Sequence, residues 1–319
     1  MSTPPLGVGV MTRPIRVGTR RSLLARTQSE QVAAALRAAL GRDVTLVEVT
    51  TEGDVSSAPL ASLGGTGVFV SALRDALLRG EVDLAVHSLK DLPTTPDERI
   101  ALAAVPLRED PRDVVVARDG LTLGELPAGA RIGTGSPRRA AQLRALGLGF
   151  DVVGIRGNVD TRIGKVASGE VDAVVLARAG IARLDRLDEV TEVLDPLQML
   201  PAPGQGALAV ECRSGDPLAD EVRGAVDDPR TRAAVAAERA VLATLEAGCA
   251  APVGALAEIA EGDDGDELWL RAVALSPDGA VAVRRSATGL PDEAEKVGRT
   301  LAEEMLDDGA STLVQEAAS

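Results

Sequence analysis

The chain has 319 residues, enough for two domains with room for a third, and one Trp, two Phe and no Tyr exclude an aromatic stacking platform for single-stranded nucleic acid. A net charge of −14, from 34 basic and 48 acidic residues, excludes a sequence-independent grip on a phosphate backbone, so no nucleic acid is expected as a partner. No apolar run reaches the roughly 18 residues of a membrane span; two cysteines make no disulfide framework and fit a reducing cytosol, and one His with two Cys is too few for the usual zinc clusters.

Residues 1–12 hold no charged n-region and no proper apolar h-region, so no secretory leader is expected, and Met11 is a second candidate start. A strand over 14–18 leads into a helix over 23–40, with Leu24, Val32, Leu36 and Leu40 as its apolar positions, and a strand follows over 44–50. Residues 54–67 are rich in Ser and Gly without a period, which predicts a mobile loop. A helix over 69–79 and a strand over 82–87 come next, and a polar link near 106–112 ends the first half. The second half reads as strands over 113–117 and 131–134, a helix over 137–146, a strand over 151–155, a helix over 158–168 and a strand over 171–176. Pro201 to Gly206 marks a crossing back, and Ala207 to Glu211 reads as a strand. Asp227 to Pro229 opens a third region: a helix over 230–246 ending at Gly248, alternating stretches such as Leu268 to Ala274, and a closing helix over 291–308.

Two stretches recur in the same order. Arg79 to Val86 resembles Ser168 to Val175, each a helix end at Gly followed by a short apolar strand. Ile15 to Ser22 resembles Arg131 to Pro137, each a strand, a Gly-Thr turn and a helix start. Two similar α/β halves are expected, the alternative being chance similarity of short α/β pieces. The fold class is α/β: two α/β domains plus a smaller C-terminal α+β domain. The expected boundaries are 13–108 with 201–225 for domain 1, 109–200 for domain 2, and 227–319 for domain 3.

Charge is uneven along the chain. Arg supplies 31 of the 34 basic residues, which a genome rich in Arg codons explains as well as a need for bidentate grip on carboxylate or phosphate. Residues 131–162 carry six Arg against two Asp, a local +4, whereas residues 258–319 carry five basic and fifteen acidic groups. A basic island in an acidic chain points to a small polyanionic ligand in a cleft.

Three constellations and one cysteine carry candidate chemistry. In Gly133 to Arg139, Ser136 suits an N-cap and Pro137 the first helical position, while Thr134 and Gly135 leave backbone N–H groups open to an anion. Arg138 and Arg139 add charge that opposes the helix dipole unless an anion answers it. The alternative is a solvated surface turn; Thr19 to Ser22 is a weaker twin. In Ile155 to Arg162, a strand end places Arg156 and Arg162 where open α/β sheets bind ligands, or Asn158 simply caps a helix. In His87 to Pro93, Lys90 and Asp91 follow a buried strand at the same kind of edge. Asp91 there could hold N–H donors or a developing cation, or pair with Lys90 on the surface. His87 reads as structural. Cys212 sits in an apolar strand and reads as inert core, whereas Cys249, on a Gly- and Pro-flanked loop after a helix, is a candidate for covalent chemistry.

Together these stretches resemble the porphobilinogen deaminase (hydroxymethylbilane synthase) family from about Ile15 to the C-terminus. The matching runs are Val17 to Ser22, Ala85 to Pro93, Arg108 to Asp113, Gly133 to Arg139, Arg156 to Val159, Pro203 to Gly206 and Leu245 to Cys249, and their joint order carries the resemblance. It implies a transferase of tetrapyrrole biosynthesis that joins four porphobilinogen molecules head to tail, releases four ammonia and frees linear 1-hydroxymethylbilane. It implies a cytoplasmic monomer with no nucleic acid, membrane or metal involved. It implies a dipyrromethane cofactor, bound by a thioether to Cys249, that primes the chain and is not turned over. Asp91 matches the catalytic carboxylate, which contacts pyrrole N–H groups and stabilises cationic azafulvene-like intermediates. Lys90, Asp91, Thr134, Ser136, Arg138 and Arg139 match cofactor-binding positions; Arg20, Ser22, Arg156, Arg162, Arg183 and Gln205 match substrate-side positions. The implied fold has three domains, the first two resembling periplasmic binding proteins around a cleft.

An Arg-lined cleft suits such a ligand, because cofactor and four added units present about a dozen carboxylates. One Asp among many Arg suits the stabilisation of a pyrrole-methylene cation. Duplicated halves suggest a cleft that widens as the chain grows. Glu52, Thr66 and Ser71 stand where many family members have basic residues, so the loop near them is not expected to grip carboxylates. A two-lobed, non-enzymatic binding module for small anions explains the repeat and the Arg island but gives Cys249 no task. A regulator's sensor domain lacks a basic DNA-reading helix beside the lobes.

Overall fold

The computed structural model describes residues 13–50, 67–247, 251–262 and 265–316. A first sheet joins β1 (Ile15–Thr19), β2 (Val44–Glu48), β3 (Leu84–Ser88), β4 (Ile100–Ala104) and β10 (Leu208–Arg213) in the order β2-β1-β3-β10-β4. A second joins β5 (Asp113–Ala117), β6 (Arg131–Thr134), β7 (Asp151–Gly154), β8 (Ala173–Ala177) and β9 (Glu192–Val193) in the order β7-β6-β8-β5-β9. The two orders correspond strand for strand, and so do the directions. β1 runs parallel to β2 and β3 as β6 does to β7 and β8, and β10 and β5 run antiparallel to both their neighbours. The recurring stretches of sequence fall on equivalent strands: Gly18 pairs with Ala85 in one sheet and Gly133 with Val174 in the other.

Local chemistry explains the frame. β3, β5 and β8 are buried along nearly their whole length, so they read as unbroken apolar runs rather than alternating ones. The helix Leu23–Leu40 starts at Ser22, whose Oγ accepts from Ala25 N at 3.3 Å, and stops at Gly41 in the left-handed conformation. The helix Pro137–Ala145 starts at Ser136 with Pro137 in its first turn, Val159–Ala167 is capped by Asn158, and Pro229–Thr244 by Asp228.

The third region is a meander of β11 (Val253–Gly262), β12 (Gly265–Leu275) and β13 (Ala282–Gly289). One face packs on the helices Pro229–Thr244, Ala294–Asp307 and Ala310–Glu316 through residues such as Val241, Leu270, Leu301 and Met305. Leu256, Val273 and Leu275 pack instead on Ala141 and Leu200, so the meander rests on the helix that follows β6. The fold is thus α/β with a smaller C-terminal α+β unit. No helix of the described residues is long and apolar enough to cross a membrane.

Some boundaries differ from the sequence reading, for physical reasons. β3 begins at Leu84 rather than 82, because Val82 N still turns back to Ala76 O to finish the preceding helix Gly67–Leu78. The helix expected over 230–246 stops at Thr244: Ala247 N turns back to Leu242 O at 3.1 Å, and Glu246 takes a φ of 49°. The expected mobile loop over 54–67, with Glu52 and Thr66, lies outside the described residues apart from Gly67. Ser71 is an exposed position of the helix Gly67–Leu78.

Candidate active site

The candidate residues gather at one edge of each α/β sheet. In the first, Arg20 and Ser22 follow β1 and Lys90 and Asp91 follow β3; antiparallel β10 starts at the same edge, just after Gln205. In the second, Thr134 to Arg139 lie at the end of β6, Arg156 and Arg162 follow β7, Arg183 ends the short helix after β8, and Asp113 opens antiparallel β5. Such edges bind ligands because strand ends and helix starts leave polar backbone groups facing outward.

Asp113 is the centre of the assembly. It is fully buried; Arg138 Nη2 donates to its Oδ2 at 2.7 Å, and Arg139 Nη2 and Nε donate to Oδ1 at 2.8 and 3.2 Å. Gln205 Nε2 donates to the same Oδ1 at 2.8 Å, while its Oε1 accepts from Lys90 Nζ at 3.2 Å and from Arg139 Nη2 at 3.4 Å. Lys90, Gln205, Asp113, Arg138 and Arg139 therefore form one network drawn from both sheets. The sequence reading does not single out Asp113, yet a carboxylate opening an apolar strand demands a partner once that strand is buried.

The anion that answers Arg138 and Arg139 is thus Asp113. Both arginines and Thr134 are buried, so the alternative of a solvated surface turn does not hold. The backbone N–H groups expected to be open to an anion are partly engaged: Ser136 N donates to Thr134 Oγ1 at 3.2 Å and Arg139 N to Ser136 Oγ at 3.4 Å. Gly135 is needed for close approach, since a Cβ there would lie 2.7 Å from Ile155 O.

Electrostatics follow from this packing. Burial alone would raise the Asp113 carboxyl, but the charges and hydrogen bonds of Arg138 and Arg139 outweigh it and hold the group far below its ordinary range. Burial, helped by Arg139 and opposed by Asp91 and Asp113, pushes Lys90 down to about 8. Arg138 is lowered by burial against the pull of Asp113, and its Nε is buried without a hydrogen-bond partner. Arg162 donates from Nε to Gly157 O at 2.8 Å; burial, then Arg139, lowers it. Arg183 donates to Gly206 O at 2.8 Å, and burial lowers it against Glu109.

Asp91 ends a single 3-10 turn, Leu89–Asp91, and is half-buried. Leu89 N donates to Ala207 O at 3.0 Å, so this turn and the Gln205 turn are locked side by side. Ser22 is committed to capping its own helix. Arg20 is half-buried and Arg156 exposed at their respective edges. A cavity of about 210 Å³ opens beside Arg183, with Gln31, Arg108 and Glu109 completing its polar wall. Cys249 lies outside the described residues.

Two further buried clusters support the edges. His87 is buried with Nε2 3.2 Å from Glu211 Oε2, and Arg74 binds both oxygens of Glu211 at 2.6 and 3.0 Å. Burial would raise Glu211, but His87 and Arg74 bring it down to about 2. Burial against Glu211 fits the reading of His87 as structural. Cys212 is buried core, and burial raises its thiol. Glu238, fully buried, accepts from Arg108 at 2.6 and 3.0 Å, from Gly204 N at 2.6 Å and from Ala257 N at 2.9 Å. The sequence reading passes over Glu238, although it falls on the same helical stripe as Thr231, Val235, Val241 and Leu242, where an unpaired carboxylate would be costly.

Residues 15–221 match the family model described as porphobilinogen deaminase, dipyromethane cofactor binding domain, and residues 232–307 match porphobilinogen deaminase, C-terminal domain. A porphobilinogen deaminase of Nocardia farcinica is 58% identical over 319 residues, covering 98% of this chain and 92% of the relative. One of Mycobacterium tuberculosis is 58% identical over 305 residues, covering 94% and 98%. Among solved structures, a periplasmic substrate-binding protein from Coxiella burnetii is similar with a TM-score of 0.43 and 15% identity, covering 70% of this chain and 96% of that one.

Proposed function

The chain belongs to the porphobilinogen deaminase family, and on that premise we propose that it condenses four porphobilinogen molecules, one at a time, into linear 1-hydroxymethylbilane with release of four ammonia. It is a transferase of tetrapyrrole biosynthesis. The observation that carries the reading is the cationic surplus next to the Asp91 turn: Arg138 and Arg139 directly, and Lys90 through Gln205, converge on one buried carboxylate, Asp113. A ligand bearing carboxylates along its length answers that surplus.

A dipyrromethane fits these residues. Arg138 Nε is buried without a partner, and Lys90 and Arg139 share the acceptor Oε1 of Gln205, so donors remain for acetate and propionate groups. Lys90, Asp91, Thr134, Ser136, Arg138 and Arg139 would hold the group, with Cys249 as its thioether attachment. When bound, it supplies the pyrrole carbon that starts the chain.

The protein's own groups do the rest. Asp91 accepts the pyrrole N–H on a carboxylate oxygen and offsets the positive charge that develops as the aminomethyl nitrogen leaves. The same carboxylate takes the ring proton displaced when the new carbon–carbon bond forms. Arg20, Ser22, Arg156, Arg162, Arg183 and Gln205 form the substrate side, where desolvated Arg162 and Arg183 pair with substrate carboxylates more strongly than exposed ones would. The working unit is a cytoplasmic monomer with domains at 13–108 with 201–225, 109–200 and 227–319.

The intact mass of the purified protein under denaturing conditions, beside Cys249→Ser, tests this. The expected result is an excess of two linked pyrrole units, absent from the variant, with further peaks one unit apart on adding porphobilinogen. A protein that stays unmodified after incubation with preformed hydroxymethylbilane overturns the reading.

A further inference from the structure

The turn that carries Asp91 has little to hold it from within. It is three residues of 3-10 helix closed by one backbone bond, Leu92 N to Leu89 O at 3.1 Å. Beyond the bond from Leu89 N to Ala207 O, its position comes from the helix Pro229–Thr244. Leu89 and Leu92 pack in one cluster with Val235 of that helix. One turn later Arg239 donates from Nη1 to Leu92 O at 3.1 Å and from Nη2 to Pro93 O at 2.7 Å. These are the first two carbonyls after Asp91. Glu238, the preceding residue, accepts Gly204 N at 2.6 Å, next to Gln205. Two consecutive residues of one helix thus hold the Asp91 turn and the Gln205 turn, and the chain of that helix continues towards Cys249.

We propose that Arg239 is a positioning residue for Asp91: its planar guanidinium bridges the Leu92 and Pro93 carbonyls and so sets where the Asp91 carboxylate stands. Two adjacent carbonyls call for two donors in a fixed fork, which Arg supplies and Lys does not. The proposal rests on the role given to Asp91 above.

The test compares the primed holoenzyme with Arg239→Met, Arg239→Lys, Asp91→Asn and the double variant Arg239→Met/Asp91→Asn, each checked by intact mass before rates are measured. Arg239→Met is expected to carry its primer, to keep KM for porphobilinogen within about twofold and to lose about 10- to 100-fold in kcat, since a misplacement of about 1 Å costs that much. Arg239→Lys, whose donors all sit on one nitrogen and lack the fixed fork, is expected to recover only part of the loss. In the Asp91→Asn background, Arg239→Met is expected to cost less than about twofold more, because its effect runs through Asp91. An unchanged kcat, or an equal fractional loss with Asp91 already replaced, overturns the proposal. If Arg239→Met does not fold, Arg239→Lys alone and in the Asp91→Asn background gives the same comparison. A wild-type protein that neither carries a primer nor elongates overturns the family function as well, and the mass spectrum shows this first.

Discussion

The carboxylate of Asp113 and the side-chain amide of Gln205 meet at 2.8 Å across 92 residues of sequence. Asp113 opens β5 and Gln205 lies just before β10, the antiparallel fourth strand of each five-stranded sheet, so the contact joins the two α/β sheets at equivalent places. Asp113→Asn leaves Arg138 and Arg139 buried without their anion. A destabilisation of about 3–5 kcal/mol is expected, measured as a lower urea midpoint at pH 7. A loss below about 1 kcal/mol would show that water, not Asp113, satisfies the two guanidinium groups.

Gly206 should tolerate no side chain. Its φ is 88°, and a Cβ would lie 2.3 Å from Glu109 O, whereas Gly215, with φ 75°, has nothing within 4 Å. Gly215→Ala is expected to cost about 1 kcal/mol for the backbone conformation alone, and Gly206→Ala at least about 2 kcal/mol more for the clash. Thermal unfolding of the pair measures the difference. Because Arg183 donates to Gly206 O, the costlier variant should also raise KM.

Asp91→Asn separates chemistry from folding. The Leu89–Asp91 turn is closed by backbone and seated by Leu89 and Leu92, so stability is expected within about 0.5 kcal/mol of the parent. The condensation rate is expected to fall by at least about 100-fold while the primer stays attached. Single-turnover mass spectra read both quantities in one experiment.

Glu211 gives the first sheet an acid-sensitive contribution. Its ordinary value is 4.5, and in the fold it is held at about 2. A carboxylate whose value is lowered on folding contributes fully above the unfolded value. As pH falls from 4.5 towards 2, the unfolded chain takes up the proton first, so stability is lost across that window. Glu211→Gln is expected to be less stable at pH 7 and to show a shallower fall between pH 5 and pH 3, measured by urea unfolding at each pH. Equal slopes would mean that His87 and Arg74 do not hold Glu211 ionised.

Legibility of the fold tracks how local the determining interaction is. The helix Leu23–Leu40 can be read to the residue because Ser22 and Gly41 cap it within its own segment. β5 can be read because burial on both sides leaves an apolar run with sharp ends, and β6 because the Gly-Thr turn and the Ser136–Pro137 helix start mark where it stops. β4 cannot: Ile100 to Ala104 has no clear alternation, and its pairing is with β10, which follows the entire second sheet in sequence. The site divides the same way. Strand ends followed by Arg, Lys or Asp mark its edges, and the joint order of those motifs marks the family. Asp113, Glu238 and Arg239 stay hidden because their partners, Arg138 with Arg139, Arg108, and the Leu92 and Pro93 carbonyls, are brought to them only by the tertiary fold.

The strand order of the first sheet has a consequence for synthesis. β10 lies between β3 and β4, yet it leaves the ribosome only after β5 to β9. The second sheet is contiguous in the chain from Asp113 to Val193 and can close as soon as it emerges. The N-terminal strands, made first, must wait with the facing edges of β3 and β4 unpaired, a state open to wrong pairing and to capture by chaperones. In a nascent chain stalled with everything up to Leu208 just outside the ribosome, protease protection should therefore cover residues 113–193 but not 15–104: the half of the molecule that is translated first is the α/β half that finishes last.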